Sequence, residues 1–218
     1  MSVRNYIAQI YKSRLNILNI LESVYQYDIS DYSGFSVNEI DAMINNDQLD
    51  MLLTHKKGNS DEQKISTSKT YIKYLSKTQS TLNVLTINNI MDDLFNFSST
   101  LTTTDCLCII YDGEPNDTIM AHLNYLYDST KIFIVIHNLK RLQFNILEHS
   151  LVPKATILNA SQIDDLMSTY VIEHSSQLPE ISRFDPQALA ICLRPGQICK
   201  FIRFSPTSMS SPYYRICV

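Results

Sequence analysis

The chain has 218 residues, is 44% hydrophobic and 18% charged, and carries a formal net charge of −4 at pH 7. This composition is typical of a soluble globular protein with one large or two small domains, and no apolar run approaches the roughly 18 residues of a membrane span. The acidic balance argues against a free-standing nucleic-acid-binding protein, which usually has a basic face, but not against a subunit that touches DNA inside a larger basic assembly.

Cysteine usage indicates a reducing compartment. The five cysteines are scattered along the chain, and no pair of them has CxxC spacing. We expect all five to be small buried apolar residues. A zinc site is the alternative, but the spacing of Cys106 and Cys108 suits it poorly. The N-terminus lacks the apolar region and the cleavage site of a secretory signal.

Two helices are predicted at the start of the chain. Apolar residues recur at helical spacing from Val3 to about Tyr25, interrupted by Arg14. Ser36 and Glu39 have the spacing of a capping box, and the helix that they open is expected to extend to about Leu53. The polar segment THKKGNSDEQKISTSKT is then expected to form an exposed loop.

Strands and helices alternate in the middle of the chain. In order, the predicted elements are the strand TLNVLTI, the helix INNIMDDLFNF, the buried strand DCLCIIY, the turn DGEPNDT, the helix TIMAHLNYLY and the buried strand KIFIVIH. This β-α-β-α-β order predicts an α/β domain with at least some parallel pairing.

A second unit begins near Leu151 with the extended segment LVPKATIL. Asn159 is the predicted N-cap of a helix, and Asp185 is the predicted N-cap of a shorter helix with Pro186 at its first position. Gly196 is expected at positive φ in the turn RPGQ. The alternating segment ICKFIR and the terminal YYRICV are predicted strands.

Four motifs in this second unit occur in a fixed order at close spacing: HSLVPKATIL, SQLPEI, DPQALAICLRPGQICKFIR and YYRICV. Together they resemble the C-terminal assembly domain of the fifth subunit shared by the three nuclear DNA-dependent RNA polymerases. The family pattern has an LVP element, a QLP element, a DP pair, a basic residue and a glycine, a KxIR strand, an SxT turn and a closing YR strand.

The resemblance implies a small α+β assembly domain at residues 149–218 that docks on the largest polymerase subunit. The residues implied to lie at this subunit interface are Leu151, Pro153, Leu178, Pro179, Asp185, Pro186, Arg194, Gly196, Lys200, Arg203, Tyr214 and Arg215.

Residues 1–148 are similar in layout to the α/β jaw domain of the eukaryotic-type subunit, whose fold is restriction-endonuclease-like. The turn GEPNDTIM would then place Pro115 and Asn116 near downstream DNA. The implied function is that of a non-catalytic structural subunit, since polymerisation would take place at a metal site of the holoenzyme elsewhere.

The implied partners are the largest and other polymerase subunits and downstream duplex DNA. No catalytic residue, metal ligand, cofactor, membrane or small-molecule substrate is expected. The protein would be nuclear if its host is a cell, or in the virion and host cytoplasm if it is viral, and the sequence leaves both open.

Some positions depart from the family pattern. Cys192 and Met209 stand where the family usually has glycine, Pro206 where glutamate is usual, and Ala155 where histidine is usual. A divergent lineage, either a fast-evolving eukaryote or a large DNA virus, is one explanation.

Two other functions stay open. A stand-alone metal-dependent nuclease would need clustered carboxylates and a lysine. Glu62 and Lys64 have ExK spacing but lie in a polar loop, and Asp112 and Glu114 follow a strand without a lysine beside them. The other alternative is a free regulatory adaptor that reuses the C-terminal domain.

Basic residues are frequent near the C-terminus. Arg194, Lys200, Arg203 and Arg215 form this set. Phosphate contact is one interpretation. The resemblance favours pairing with acidic groups of a partner subunit, for which the planar arginine fork is well suited.

Overall fold

The structure, a computed structural model, describes residues 3–55, 68–75 and 82–218. The chain divides into two compact units, residues 1–145 and 146–218, each with its own sheet. Among the described residues, no helix is both long and apolar enough to cross a membrane.

The first unit contains, in chain order, α1 (Val3–Tyr25), α2 (Val37–Asn45), β1 (Met51–Leu53), β2 (Thr70–Tyr74), α3 (Val84–Met91), β3 (Cys106–Tyr111), α4 (Asp117–Thr130) and β4 (Phe133–Asn138). A π-helical turn, Asp92–Phe97, continues α3, and a short 3-10 helix, Arg141–Gln143, follows β4.

The sheet of this unit has the strand order β1-β2-β3-β4. Strands β2, β3 and β4 are parallel, and β1 pairs antiparallel with β2. Every residue of β3 and β4 is buried, as expected for parallel strands that have helical connections and read as continuous apolar runs. The predicted α/β class and parallel pairing are therefore confirmed for this unit. A β-α-β-α-β order is present too, but its first strand is not the predicted one.

One strand of that alternation was predicted in the wrong place. The segment TLNVLTI was expected to be a strand, but Asn83 caps α3 by accepting a hydrogen bond from the Thr86 amide at 2.8 Å. Ile87 and Ile90 are buried at helical spacing, so the short alternation before them was misleading. The strand that takes its place is β2, within TYIKY, which the sequence did not indicate.

The second helix is shorter than expected. The prediction that it extends to about Leu53 is wrong, since α2 ends at Asn45 and Met51–Leu53 is strand β1. Met51 and Leu53 are buried where β1 pairs with β2. This pairing joins segments far apart in sequence, and no local pattern reports it.

Helix α1 has the predicted bounds, and its apolar stripe is buried at Ile10, Ile17 and Leu21. Arg14, which interrupts the stripe, is also buried, and its Nη1 donates to the Leu49 carbonyl at 3.0 Å. Burial lowers the pKa of this guanidinium. Leu15, the next residue, is exposed.

The predicted helix caps are formed. Ser36 and Glu39 make the reciprocal bonds of a capping box, and so do Asn159 and Gln162. The Asp185 side chain accepts from the Gln187 amide at 2.9 Å, with Pro186 at the first helical position. Each cap satisfies amides that a helix start would otherwise leave without partners.

The second unit contains β5 (Lys154–Ile157), α5 (Ala160–Tyr170), β6 (Glu180–Ile181), α6 (Pro186–Ala190), β7 (Ile198–Arg203) and β8 (Ser211–Cys217). The strand order is β5-β7-β8-β6, with β6 parallel to β8 and the other pairs antiparallel. Helix α5 packs on one face of this sheet, where Leu166, Leu178 and Ile198 form a buried cluster. This unit is a small α+β fold, as expected.

All five cysteines are free and buried, as predicted. Burial raises the pKa of the Cys108 thiol, and it raises the pKa of Cys199 to about 12 and that of Cys217 to about 11. Protonated thiols in such surroundings behave as apolar side chains.

Candidate functional site

The turn before β7 brings several predicted interface residues together. Gly196 has φ +87° and donates its amide to the Cys217 carbonyl at 2.9 Å. Gln197 closes the turn, because its amide donates to the Arg194 carbonyl and its side-chain oxygen accepts from the Arg194 amide at 2.9 Å. The positive φ predicted for Gly196 is confirmed, and the turn fixes the position of Arg194 beside the end of β8.

A second contact holds the LVP element against the DP helix. The Gln187 side-chain amide donates to the Pro153 carbonyl at 2.6 Å. Leu151, two residues earlier, is 86% exposed. Leu178 differs from these residues because it packs in the apolar cluster under α5. The structure thus places Leu151 at the surface and Leu178 in the core.

The basic set does not lie on one face. Lys200 pairs across the sheet with Tyr214, whereas Arg203 pairs with Ser211 and Cys199 with Arg215. Side chains alternate between the two faces along a strand. The Lys200 side chain therefore projects from the face that α5 covers, and the side chains of Arg203 and Arg215 project from the opposite face. Arg194 lies in the turn that precedes β7.

A groove lies between the end of α5 and strand β8 in this unit. It has a volume of about 260 Å³, and we call it the Tyr214 groove. Its lining residues include Leu166, Tyr170, Ile172, Leu178, Tyr214 and Arg215. The rings of Tyr170 and Tyr214 meet edge to face with their centroids 5.8 Å apart. The sequence pointed to Tyr214 and Arg215 as interface residues but not to Tyr170.

In the first unit, the predicted DNA-proximal turn connects β3 to α4. Asn116 is the N-cap of α4, since its side-chain oxygen accepts from the Ile119 amide at 2.9 Å. Pro115 is partly buried and precedes this cap. The Asn116 side chain therefore has a structural partner, while the turn as a whole lies where β3 ends.

Charged residues gather at this end of the parallel strands. Lys140 Nζ lies 3.3 Å from Asp112 Oδ1, and Arg141 Nε lies 3.1 Å from Glu114 Oε1. The Asn138 side-chain amide also donates to Glu114 Oε1 at 2.9 Å. We call these five residues the carboxyl-edge cluster.

The carboxyl-edge cluster corrects an expectation from the sequence. Asp112 and Glu114 were expected to lack a lysine beside them, but Lys140 follows β4 and reaches Asp112 through space. The carboxyl ends of neighbouring parallel strands meet at one sheet edge, and that rule was the signal that could have found the pair. All four charged side chains are about one-third to two-thirds exposed, so these ion pairs contribute little to stability.

Two buried titratable groups lie next to the cluster. Burial and then the nearby Glu114 carboxylate raise the pKa of Tyr111 to about 12. Burial and then the Arg141 charge lower the pKa of His137 to about 4. The Nε2 atom of His137 is buried without a hydrogen-bond partner. His137 is therefore a neutral core residue at pH 7.

The residues that suggested a nuclease are only partly placed. Glu62 and Lys64 lie outside the described residues. Asp112 and Glu114 are engaged by Lys140 and Arg141. Within residues 3–55, 68–75 and 82–218, no group of three or more histidine, cysteine or acidic side chains is arranged to hold a metal ion.

Comparison with known proteins finds a family match in the second unit. Residues 144–217 match the family model of the C-terminal domain of RNA polymerase Rpb5. The chain is 40% identical over 76 residues to DNA-directed RNA polymerase subunit Rpo5 of Thermococcus kodakarensis. This match covers 35% of this chain and 92% of that protein. It is 41% identical over 80 residues to Rpo5 of Staphylothermus marinus, covering 37% of this chain and 87% of that protein.

A eukaryotic relative matches over the same length. The chain is 40% identical over 77 residues to DNA-directed RNA polymerases I, II, and III subunit RPABC1 of Caenorhabditis elegans, covering 35% of this chain and 36% of that protein. The chain therefore belongs to the family of the fifth RNA polymerase subunit, whose members are non-catalytic structural subunits of multisubunit DNA-directed RNA polymerases.

Proposed function

We propose that the C-terminal unit docks this chain on the largest subunit of its polymerase, and that the N-terminal unit forms part of the lower jaw beside downstream DNA. The observation that carries the docking proposal is that the matched residues 144–217 are nearly the same as the compact unit 146–218. This segment corresponds to 92% of a complete archaeal subunit. A segment that makes up nearly a whole subunit carries what that subunit needs for assembly.

The proposed docking surface combines the Arg194–Gly196 turn, the exposed LVP element and the C-terminal strand. Its polar members are Asp185, Arg194, Lys200, Arg203 and Arg215, and its apolar members are Leu151, Pro153, Leu178, Pro179, Pro186, Gly196 and Tyr214. Leu178 acts from the core, as a support for the surface. Arginines suit this task because they can bind a partner carboxylate through two parallel hydrogen bonds.

The jaw proposal rests on the carboxyl edge of the first sheet. Pro115 and Asn116 lie in the turn after β3, beside the two basic residues of the carboxyl-edge cluster. Asp112 and Glu114 compensate those basic charges, so the turn would bind phosphates weakly when the chain is alone. Such a surface suits a jaw that borders DNA held by the rest of the enzyme. The restriction-endonuclease likeness of this unit is part of the same proposal.

The proposed assembly also determines the partners of the chain and its place in the cell. The partners are the largest and other polymerase subunits and downstream duplex DNA, and the chain acts without a cofactor or small-molecule substrate. It would lie in the nucleus of a cell, or in the virion and host cytoplasm if a virus encodes it.

Affinity purification of the tagged chain from its native source tests the docking proposal. We expect the two largest polymerase subunits to co-purify in equal amounts with the chain. Arg194→Glu should reduce their recovery, whereas Lys131→Glu, the same charge change at the end of α4 in the first unit, should not. Recovery of the wild-type chain alone would overturn the proposal.

Crosslinking to DNA tests the jaw proposal in the same preparation. A photoreactive residue introduced at Pro115 should crosslink downstream duplex DNA in the assembled, template-bound polymerase. The same residue at Thr130, at the far end of α4, should not. Equal crosslinking at both positions would contradict the proposed place of this turn.

A further inference from the structure

Strand β8 has an edge that β6 covers only in part. The Cys217 amide donates to the Gln197 carbonyl at 2.9 Å, which fixes the phase of the β7–β8 ladder. Because bonded and non-bonded pairs alternate in an antiparallel ladder, Tyr213 and Arg215 bond to β7. The backbone groups of Pro212, Tyr214 and Ile216 then point away from β7, toward the side of β6.

Of these three residues, only Ile216 has its backbone groups hydrogen-bonded to strand β6. The Ile216 amide donates to the Pro179 carbonyl at 2.9 Å. If the parallel register of β6 continued by two residues, the amide of residue 179 would face the Tyr214 carbonyl, but proline has no N–H. Among the described residues, no strand pairs with Tyr214 on this side, so its N–H and C=O form an open position beside β6.

The Tyr214 groove opens beside this position. Its apolar wall comes from Leu166, Tyr170 and Ile172, while Tyr214 itself forms part of the strand side. The volume of about 260 Å³ lies below the range of roughly 300 Å³ upward that is usual for small-molecule sites. It matches one or two aliphatic side chains of a polypeptide better than a metabolite.

Arg215 is the one charged residue among those that line the groove, and its side chain projects from the opposite face of the sheet. Its Nη1 donates to the Glu180 backbone carbonyl at 2.8 Å. Within the described part of the chain, no carboxylate forms an ion pair with this guanidinium. The remaining donors of Arg215 are complementary to a carboxylate on an occupant.

We propose that an extended segment of the largest polymerase subunit adds to the edge of β8 at Tyr214. An apolar side chain of this segment would occupy the Tyr214 groove, and a carboxylate of the segment would bind Arg215. This is β-strand addition, in which backbone bonds give affinity and an adjacent pocket gives specificity. The inference rests on the proposed docking and names the mode by which one part of that docking occurs.

Pro212 selects a short partner segment over a second copy of this chain. Its backbone points toward the same side but has no N–H to donate. Edge-to-edge pairing of two β8 strands would therefore meet a proline on each, which is a common protection against such pairing. A single segment that pairs at Tyr214 alone avoids this obstacle.

Amide hydrogen exchange, resolved to single residues by electron-transfer fragmentation, tests the proposal on the isolated full chain and on the assembled polymerase. The Tyr214 amide should exchange at least about tenfold more slowly in the assembly. The Ile216 amide, bonded to Pro179 in the chain itself, is the internal control and should be protected in both. Unchanged exchange at Tyr214 would overturn the proposal, as would protection of Tyr214 in the isolated chain.

Charge reversal provides an independent readout. Arg215→Glu should lower recovery of the largest subunit about tenfold or more, and Arg215→Gln should lower it less. Lys154→Glu makes the same charge change at an exposed position on the opposite edge strand, β5, and should leave recovery unchanged. Equal recovery for Arg215→Glu and Lys154→Glu would remove Arg215 from the site.

The outcomes distinguish a failure of strand addition from a failure of docking. If the wild-type chain brings down the polymerase but Tyr214 stays unprotected, docking stands and strand addition is wrong. If the wild-type chain brings down no polymerase subunit, the docking proposal and this inference both fail.

Discussion

The two units of this chain use opposite kinds of sheet. In the first, strands β3 and β4 are parallel and buried along their whole length, and polar residues collect at the carboxyl edge. In the second, most pairing is antiparallel, and strand β8 is partly exposed with an open edge at Tyr214. The first sheet can present function only at its ends, whereas the second can present it along a strand.

The units also differ in their relatives. Rpo5 of Thermococcus kodakarensis is covered to 92% by a match of 76 residues, so it consists almost entirely of the second unit. The first unit therefore adds to a module that serves elsewhere as a whole subunit. This contrast suggests that assembly depends on the second unit and that the first can be perturbed without loss of assembly.

The largest expected effect on stability comes from replacing one large core side chain in each unit by alanine. Phe201, 1% exposed and stacked on Tyr213, should cost about 3–5 kcal/mol of stability when replaced by alanine. Leu107→Ala, in the core of the first unit, should cost about 2–5 kcal/mol. We expect Phe201→Ala to abolish co-purification of the polymerase and Leu107→Ala to preserve it, with thermal melting of each variant as the measure of stability. Loss of co-purification for Leu107→Ala but not for Phe201→Ala would contradict the view that assembly depends on the second unit.

Acid should destabilise the first unit through His137. Its pKa of about 4 in the fold lies below the usual value of 6.5, so the unfolded chain binds the proton more readily. This stability is fully present above pH 6.5 and is lost as pH falls toward 4, by at most about 3 kcal/mol. Denaturant unfolding at pH 7 and pH 4.5 should show a smaller loss for His137→Asn than for the wild type. The exposed His174→Asn is the matched control, and equal acid sensitivity of the two variants would contradict the role of His137.

The turn at Gly196 should tolerate only some residues. Its φ of +87° strains any side chain with a Cβ, although no atom lies within 4 Å of where that Cβ would be. Gly196→Val should destabilise the second unit by about 1–2 kcal/mol or more, and Gly196→Asn by less, because asparagine adopts this conformation more readily. Chemical unfolding measures the difference. A valine variant as stable as the asparagine variant would show that the turn does not hold its positive φ.

The smallest expected effect is an increase in the stability of the second unit. Met209 has φ +51° in the loop between β7 and β8 and is 82% exposed, so its side chain loses little when removed. Met209→Gly should relieve strain and stabilise the second unit by about 0.5–1 kcal/mol. The matched control, Ser208→Gly, lacks that strain and should be neutral or destabilising. A lower melting temperature for Met209→Gly than for the wild type would contradict this account.

The positions where the sequence departs from its family acquire a physical meaning in the structure. Cys192 and Met209, which replace the usual glycines, both adopt positive φ, at +48° and +51°. Both residues therefore hold a backbone conformation that glycine adopts at lower cost. The resemblance implies glycine at these two positions, and the backbone angles show the strain that a residue with a Cβ bears there.

Local signals predicted the elements that local chemistry determines. The caps at Ser36, Asn159 and Asp185 were predictable because a side chain and an amide three or fewer residues apart form them. Strands β1 and β2 were not, since each is short and becomes a strand by pairing with a segment distant in sequence. The partners of Asp112 and the groove around Tyr214 were missed for the same reason: they require contacts through space.

The buried thiols offer a way to follow each unit separately in one sample. Cys106 and Cys108 report on the first unit, and Cys192, Cys199 and Cys217 on the second. Because burial keeps these thiols out of contact with solvent, an alkylating reagent can modify them only when the unit that contains them opens. The rate of labelling at each position, read by mass spectrometry, would therefore give the opening free energy of each unit in the presence or absence of the polymerase.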